Sequence, residues 1–193
     1  MMAPPRIKAR PLDWTPHLQP VVIASATPEQ LIAMQVTPSA TKVSNYVRTL
    51  VHDPESYVAR TTLFNTIMYI QGGLSRADRE LGALGASLVN GCKYCTFIHA
   101  GRHASECKSS DVIYWIWTGN RDKLSQRDAA ILAFAEALST TPISATADHI
   151  EALRAAGLSA SEISDLIHAI AIFCWANRLM HPLGSATLQS KQK

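Results

Sequence analysis

The sequence predicts an all-α protein of about eight helices, and two observations carry this prediction. Apolar residues recur at helical spacing in the segments that follow Ser125 and Ser159. No segment alternates apolar and polar residues as a half-buried strand would. Helix starts also repeat one pattern, a serine three residues before a carboxylate, in which the hydroxyl caps the helix and the carboxylate suits its dipole. The three pairs are Ser75 with Asp78, Ser125 with Asp128, and Ser159 with Glu162.

The N-terminal segment, residues 1–25, is predicted to be an extended arm. Each proline fixes φ and removes a hydrogen-bond donor, so the five prolines in this segment resist regular structure: Pro4, Pro5, Pro11, Pro16 and Pro20. Residues 26–193 are predicted to form one helical domain, because the chain of 193 residues is long enough for a single large core.

The first helices are marked by cap residues and prolines. Thr27-Pro28-Glu29-Gln30 combines a cap, a proline at the first helical position and a capping-box glutamine, and predicts a short helix to about Gln35. Two further helices are expected over 41–52 and 54–70, separated by Asp53-Pro54 and ended by Gln71-Gly72-Gly73.

The central segment predicts two helices joined by a tight turn. A helix from about Arg76 to Val89 ends at Asn90-Gly91, which is a good C-terminal cap. The next helix is expected to begin at Cys92, which places a C-x-x-C pair at the N-terminus of a central helix. Further helices are predicted over 126–138, over 144–156 with an end at Gly157, and after Ser159.

Composition and charge narrow the function classes. The net charge of +3 comes from scattered basic residues, and without a clustered basic stripe we expect no nucleic-acid partner. No apolar run approaches the ~20 residues of a membrane span, and no secretory signal is evident, so a cytoplasmic protein without a membrane partner is expected. Four cysteines are too few for a disulfide scaffold. In a reducing compartment, C-x-x-C indicates redox or metal chemistry.

The candidate catalytic residues are Glu80, Cys92, Cys95 and His99. At the start of a helix the dipole favours a thiolate at Cys92, and His99 lies one turn after Cys95, where an imidazole can exchange a proton with the thiol. Glu80 lies beyond the first turn of its helix, so capping does not explain it. It is either a general base near the thiols or a carboxylate at an exposed edge, paired with Arg76 or Arg79.

Three other chemistries fit this stretch less well. One helix cannot supply all four zinc ligands, because Cys92 to His103 spans about 16 Å at about 1.5 Å per residue. Covalent haem needs a histidine directly after the second cysteine, where this chain has Thr96. A thioredoxin-like motif should follow a strand. We therefore expect no metal and no cofactor, and a dithiol that reduces an electrophile such as a peroxide, passes through a sulfenic acid and closes to a disulfide. An external dithiol must then restore it.

The combined pattern Glu-x11-Cys-x2-Cys-x3-His, within Asn-Gly-Cys-x-Tyr-Cys, resembles the alkylhydroperoxidase D-like (AhpD-like) group of the carboxymuconolactone decarboxylase superfamily. Segments 124–138, 155–159 and 177–179 are similar to its peroxidase-related branch. The resemblance implies an all-α fold, a homo-oligomer (dimer, trimer or hexamer) and cysteine-dependent reduction of hydroperoxides. It also implies that Cys95 attacks the peroxide, that Cys92 is a more exposed resolving thiol, and that Glu80 and His99 relay protons.

One departure from the family affects turnover. Some members have histidine between the cysteines, whereas this chain has Tyr94, and a tyrosine with a pKa of about 10 relays protons poorly at neutral pH. A weaker peroxidase turnover is therefore expected. Two alternatives stay open: a carboxymuconolactone decarboxylase-like enzyme acting on a small cyclic acid, and a non-catalytic redox-sensing module.

Overall fold

The structure is a computed structural model, and it describes residues 12–35 and 43–188. Within these ranges it contains nine α-helices and two short strands, so the all-α prediction is confirmed. The elements are β1 (Leu12–Pro16), α1 (Pro28–Met34), α2 (Asn45–Leu50), α3 (Pro54–Tyr69), α4 (Arg76–Val89), α5 (Lys93–Cys107), α6 (Asp111–Thr118), α7 (Gln126–Ser139), α8 (Ala147–Ala155), α9 (Ala160–Leu183) and β2 (Gly184–Leu188).

The described residues group into two compact units. The first comprises residues 71–178, and the second comprises the described part of residues 11–70 together with 179–188. The predicted division of the chain at residue 25 stays a prediction, and residues 1–11 lie outside the described ranges.

The two strands in the second unit correct the expectation that the chain has none. β1 pairs with β2 in antiparallel register, with Trp14 opposite Ala186 and Pro16 opposite Gly184. The proline-rich segment was expected to lack regular structure, but a proline is tolerated at the end of a two-stranded ribbon, where no donor is needed. Pairing even continues past Pro16, because the His17 N–H donates to the Leu183 carbonyl at 2.8 Å.

The remainder of the second unit is built from α1, α2 and α3. The capping box predicted at Thr27 and Gln30 is present, and α3 begins at Pro54 with Asp53 as its cap, as predicted. A small apolar core holds these helices together. Its buried members are Val21, Ala33, Met34, Val51 and Tyr57.

The first unit is organised around α4. Ten of its fourteen residues are buried, because α5 and α7 pack against it and α9 supplies further apolar side chains. The predicted serine caps form: the Ser75, Ser125 and Ser159 hydroxyls accept from the backbone N–H groups three residues on. The position of α4 is therefore fixed by packing, and so are the positions of the side chains on it.

Two glycines let the neighbouring helices approach α4 closely. A Cβ atom at Gly82 would lie 2.8 Å from the Leu166 side chain on α9, and one at Gly85 would lie 2.6 Å from the Ala135 Cβ on α7. The Gly82-x-x-Gly85 spacing therefore serves close helix packing. Contacts of this kind need the absence of a side chain.

The expectation that no apolar run approaches the length of a membrane span needs correction. α9 is long and apolar enough, by length and composition alone, to meet the criterion for a membrane-crossing helix. Half of its most apolar window is buried inside the structure, which is what a core helix also shows.

The Gly85 contact leads to a stability prediction. Gly85→Ala should destabilise the protein by a net ~1 kcal/mol or more, because overpacking against a helix costs about 1–3 kcal/mol and outweighs the helix propensity of alanine. Denaturant unfolding measures the change.

Gly101→Ala is the matched control, since Gly101 is exposed inside α5 and a Cβ there meets nothing within 4 Å. This variant should be stabilised by up to about 1 kcal/mol. Equal stabilisation of both variants would contradict the packing argument.

Candidate functional site

The turn between α4 and α5 places both thiols at the start of α5. Asn90 ends α4, Gly91 adopts a φ of +68°, and the Cys92 N–H donates to the Ser87 carbonyl at 3.0 Å. Cys92 is the N-cap residue of α5 and Cys95 is its third residue, as the C-x-x-C prediction required. Both are free thiols and both are buried.

The Glu80 side chain is completely buried and bridges two helices. Its Oε1 accepts from Arg76 Nε at 2.8 Å and from Arg76 Nη2, and its Oε2 lies 2.5 Å from Nδ1 of His99. Arg102 Nη1 lies 3.9 Å from Oε1. The alternative of an exposed carboxylate is wrong, although the expected partner Arg76 is present. Arg79 binds Asp165 and the Gly72 carbonyl instead.

The contact with Glu80 defines the tautomer of His99. A carboxylate only accepts hydrogen bonds, so Nδ1 carries the proton that points at Glu80. Nε2 is then the nitrogen with a lone pair, and it is available to a thiol or a substrate. The imidazole is buried and its edge packs on Phe173 of α9, with ring centroids 4.1 Å apart, so its orientation is held from two sides.

Burial and neighbouring charges shift the pKa values of Glu80 and His99 in opposite directions. Burial alone would raise the pKa of Glu80, but the hydrogen bond and charge of His99 and the nearby guanidinium groups outweigh it and lower that pKa. For His99, burial is the main cause of a lowered pKa, and it prevails over the raising effect of Glu80. The pair therefore consists of a carboxylate and a neutral imidazole at neutral pH.

The two thiols do not titrate independently. The hydrogen bond with Cys92, burial and the negative charge of Cys92 raise the pKa of Cys95 strongly, and Arg102 opposes this in part. The dithiol therefore carries at most one negative charge near neutral pH. The resemblance implied that Cys92 is the more exposed thiol, but Cys92 is 4% and Cys95 7% exposed, so that expectation is wrong.

The four predicted site residues are gathered at the packed faces of α4 and α5. Glu80 contacts His99 directly, Cys92 contacts Cys95, and His99 lies one helical turn after Cys95. His103 binds the Ala77 carbonyl and the exposed Cys107 thiol through its two ring nitrogens.

Arg102 is a charged residue of the site that the sequence reasoning missed. It is three residues after His99 and seven after Cys95, so it lies on the same face of α5, and this spacing was the signal that could have found it. Its positive charge helps to lower the pKa of Glu80 and opposes part of the rise in the pKa of Cys95. The site thus combines a thiol pair, an oriented base and an excess positive charge, which are the parts needed for attack by a thiolate. Among the described residues, no group of three or more metal-ligating side chains gathers in a metal-binding arrangement.

A family model matches the part of the chain that contains the candidate site. Residues 54–109 match the carboxymuconolactone decarboxylase family, and this segment contains all four predicted site residues. A search of curated proteins finds no match to the chain.

Solved structures share the fold over most of the chain. An uncharacterised peroxidase-related protein from Ralstonia eutropha JMP134 with an AhpD core is 24% identical, with a TM-score of 0.68 over 80% of this chain and 82% of the other. One from Silicibacter sp. TM1040 is 21% identical, with a TM-score of 0.72 over 89% and 94%. The debrominase Bmp8, as a cysteine-to-alanine variant in complex with 2,3,4-tribromopyrrole, is 19% identical, with a TM-score of 0.72 over 91% and 93%.

The helical fold, which these solved structures share, and the family match over residues 54–109 agree with the AhpD-like resemblance that the sequence motif indicated.

The lowered pKa of His99 predicts a pH dependence of stability. The folded protein keeps His99 neutral while the unfolded chain takes up a proton below about pH 6.5, so stability falls as the pH falls through that range. His99→Gln, which can still donate to Glu80, should flatten the decline between pH 7 and 5, measured by thermal unfolding. A variant with the wild-type pH profile would show that His99 is not the titrating group.

The charge of Arg102 predicts an effect on thiol reactivity. Arg102→Gln should shift the pH profile of alkylation by iodoacetamide to higher pH and slow alkylation at pH 7 by up to about tenfold, because one pKa unit corresponds to a tenfold change in the thiolate fraction. Arg154→Gln is the control, since it removes an equal charge from an exposed surface pair with Glu151. Similar slowing in both variants would mean that net charge alone matters.

Proposed function

We propose that the protein is a thiol-dependent peroxidase that reduces hydroperoxides through a Cys92/Cys95 dithiol-disulfide cycle. The observation that carries this proposal is the buried hydrogen bond between Glu80 and His99, one helical turn from a pair of interacting thiols. A buried carboxylate is costly, and holding an imidazole in one tautomer beside a nucleophile is the use that this arrangement fits.

In the first step the Cys95 sulfur attacks the terminal oxygen of the hydroperoxide, as the family resemblance implies. The S–O bond forms while the O–O bond breaks, so sulfur is oxidised to a sulfenic acid and the peroxide is reduced to an alkoxide that takes up a proton. Because the pKa of Cys95 is raised, its proton must leave during attack. Cys92, when ionised, accepts it through the hydrogen bond between the thiols.

His99 and Glu80 deliver the proton that the alkoxide takes up. The neutral imidazole takes this proton from solvent at Nε2, Glu80 stabilises the resulting imidazolium through Nδ1, and the imidazolium passes the proton to the alkoxide. In the second step the Cys92 sulfur attacks the sulfenic acid, water leaves, and a disulfide forms. An external dithiol then reduces the disulfide by thiol-disulfide exchange.

We also propose that the protein acts in the cytoplasm as a homo-oligomer. Large apolar side chains on the first unit support the assembly: Trp117 on α6 and Trp175 on α9 each leave nearly half of their surface exposed. Exposed aromatic residues of this size are typical of protein interfaces.

A second candidate reaction is reductive debromination of a small aromatic ring. The debrominase neighbour that shares the fold over about nine-tenths of both chains favours it. The same dithiol supplies two electrons. One sulfur takes bromine from the ring as the C–Br bond breaks, and the second sulfur displaces bromide as the disulfide forms. Of the two thiol protons, one goes to the ring carbon and the other to solvent.

Thiol counting after one equivalent of cumene hydroperoxide tests the proposed cycle. The wild type should lose two thiols, mapped to Cys92 and Cys95, and regain them with a small dithiol such as dithiothreitol. Cys95→Ser should abolish peroxide consumption, whereas Cys92→Ser should stop at a sulfenic acid that dimedone traps. Cys107→Ser is the control, since Cys107 is exposed and packs on His103 away from the dithiol.

Other outcomes of this test would point to a different attacking thiol or to a different function. Sulfenic acid on Cys92 in the Cys95→Ser variant would assign the attack to Cys92. Thiol loss with 2,3,4-tribromopyrrole but not with hydroperoxide would favour debromination. Disulfide formation without turnover by any dithiol donor would indicate a redox sensor, and activity that survives alkylation of both thiols would favour the decarboxylase-type reaction.

A further inference from the structure

Asn177, in the last helical turns of α9, is buried without satisfying its side-chain amide. Its side chain is fully buried, and its Nδ2 has no hydrogen-bond partner within the part of the chain that the structure describes. Its Oδ1 lies 3.4 Å from the Ser87 hydroxyl. A buried amide without a partner costs free energy, so a position with a purely packing role would favour leucine.

The packing of α9 places Asn177 at the level of the dithiol. Gly82 on α4 meets Leu166 and Ile170, and further along both helices Ser87 meets Asn177, so α9 runs in the direction of α4. α5 follows α4 after a tight turn and runs the opposite way. Phe173 packs on His99. α9 and α5 thus run in opposite directions. Asn177 is one turn after Phe173, and Cys95 is one turn before His99, so Asn177 lies at the level of Cys95.

The two ends of the amide differ in their contacts. Oδ1 lies next to the Ser87 hydroxyl, whereas the two Nδ2 hydrogens make no hydrogen bond to the described residues. Nδ2 makes no hydrogen bond to the sulfur of Cys92 or Cys95. A donor that is level with the thiols but does not bond to them is placed to contact an atom bound next to the sulfur.

We infer that Asn177 is a substrate-binding residue whose side-chain N–H donates to the carbon-bound oxygen of the hydroperoxide. This inference rests on the proposed function. When the O–O bond breaks, negative charge develops on that oxygen, which is one atom further from sulfur than the oxygen that is attacked. A pre-positioned donor in a water-poor site stabilises such charge strongly. Asn177 is thus a binding group that the Glu80 and His99 relay does not include.

The test compares Asn177→Leu and Asn177→Ala with the wild type in a single turnover with cumene hydroperoxide. Both variants should lose about 100-fold in the second-order rate of thiol oxidation, in the range observed when one oxyanion donor is removed. Alkylation by iodoacetamide develops no charge on oxygen, so its rate and pH profile should stay unchanged. The melting temperature of Asn177→Leu should stay equal or rise, because the orphaned amide is gone.

Ser139→Ala is the matched control, since Ser139 is buried on α7 and donates to the Ala135 carbonyl at 2.7 Å. It should lower the melting temperature and leave the hydroperoxide rate unchanged. Wild-type oxidation rates in both Asn177 variants would overturn this inference and leave the proposed function standing. An equal loss of the oxidation and alkylation rates would do the same. Failure of the wild type to react with any hydroperoxide would overturn the proposed function as well.

Discussion

The buried negative charge of Glu80 is the constraint on which the rest of the site depends. A carboxylate removed from water is costly unless opposite charge and hydrogen bonds compensate for it. Arg76 provides charge from the same helix, and His99 provides a hydrogen bond from α5 at 2.5 Å. A shift of α4 along α5 would separate the carboxylate from the imidazole. The pair therefore specifies both the register of the two helices and the tautomer of the base.

The charges around the pair explain the properties of the thiols. Arg76 and Arg102 contribute two positive charges and Glu80 one negative charge, while the pKa of His99 is lowered and its imidazole stays neutral. One positive charge is left over, and it matches one thiolate. A second thiolate would be uncompensated in a buried place, which is the physical reason why ionised Cys92 raises the pKa of Cys95. A dithiol that holds one charge and one proton has both a nucleophile and an acid within one hydrogen bond.

Local signals in the sequence were enough for eight of the nine described helices, all but α6, and for the placement of Cys92, Cys95 and His99 on one helix. The capping serines and the Asn90-Gly91 turn act within a few residues, and the spacing of Cys92, Cys95 and His99 follows from one helix, so these features could be predicted. The β1–β2 pairing joins residues 172 positions apart, as between Thr15 and Thr187, and no local pattern encodes it. The contacts of α9 with Ser87 and His99 depend on long-range packing in the same way, which is why Phe173 and Asn177 were missed as site residues.

The close packing of α4 is what allows polar groups to remain buried in this site. Gly82 and Gly85 bring the side chains of α9 and α7 against the backbone of α4, so the helix has little room to shift or rotate. Water therefore cannot readily replace the imidazole as a partner of Glu80, and the carboxylate keeps the bond that orients it. A loosely packed helix would satisfy its polar atoms locally and lose the geometry, so here the stability of the apolar contacts maintains a site that is itself destabilising.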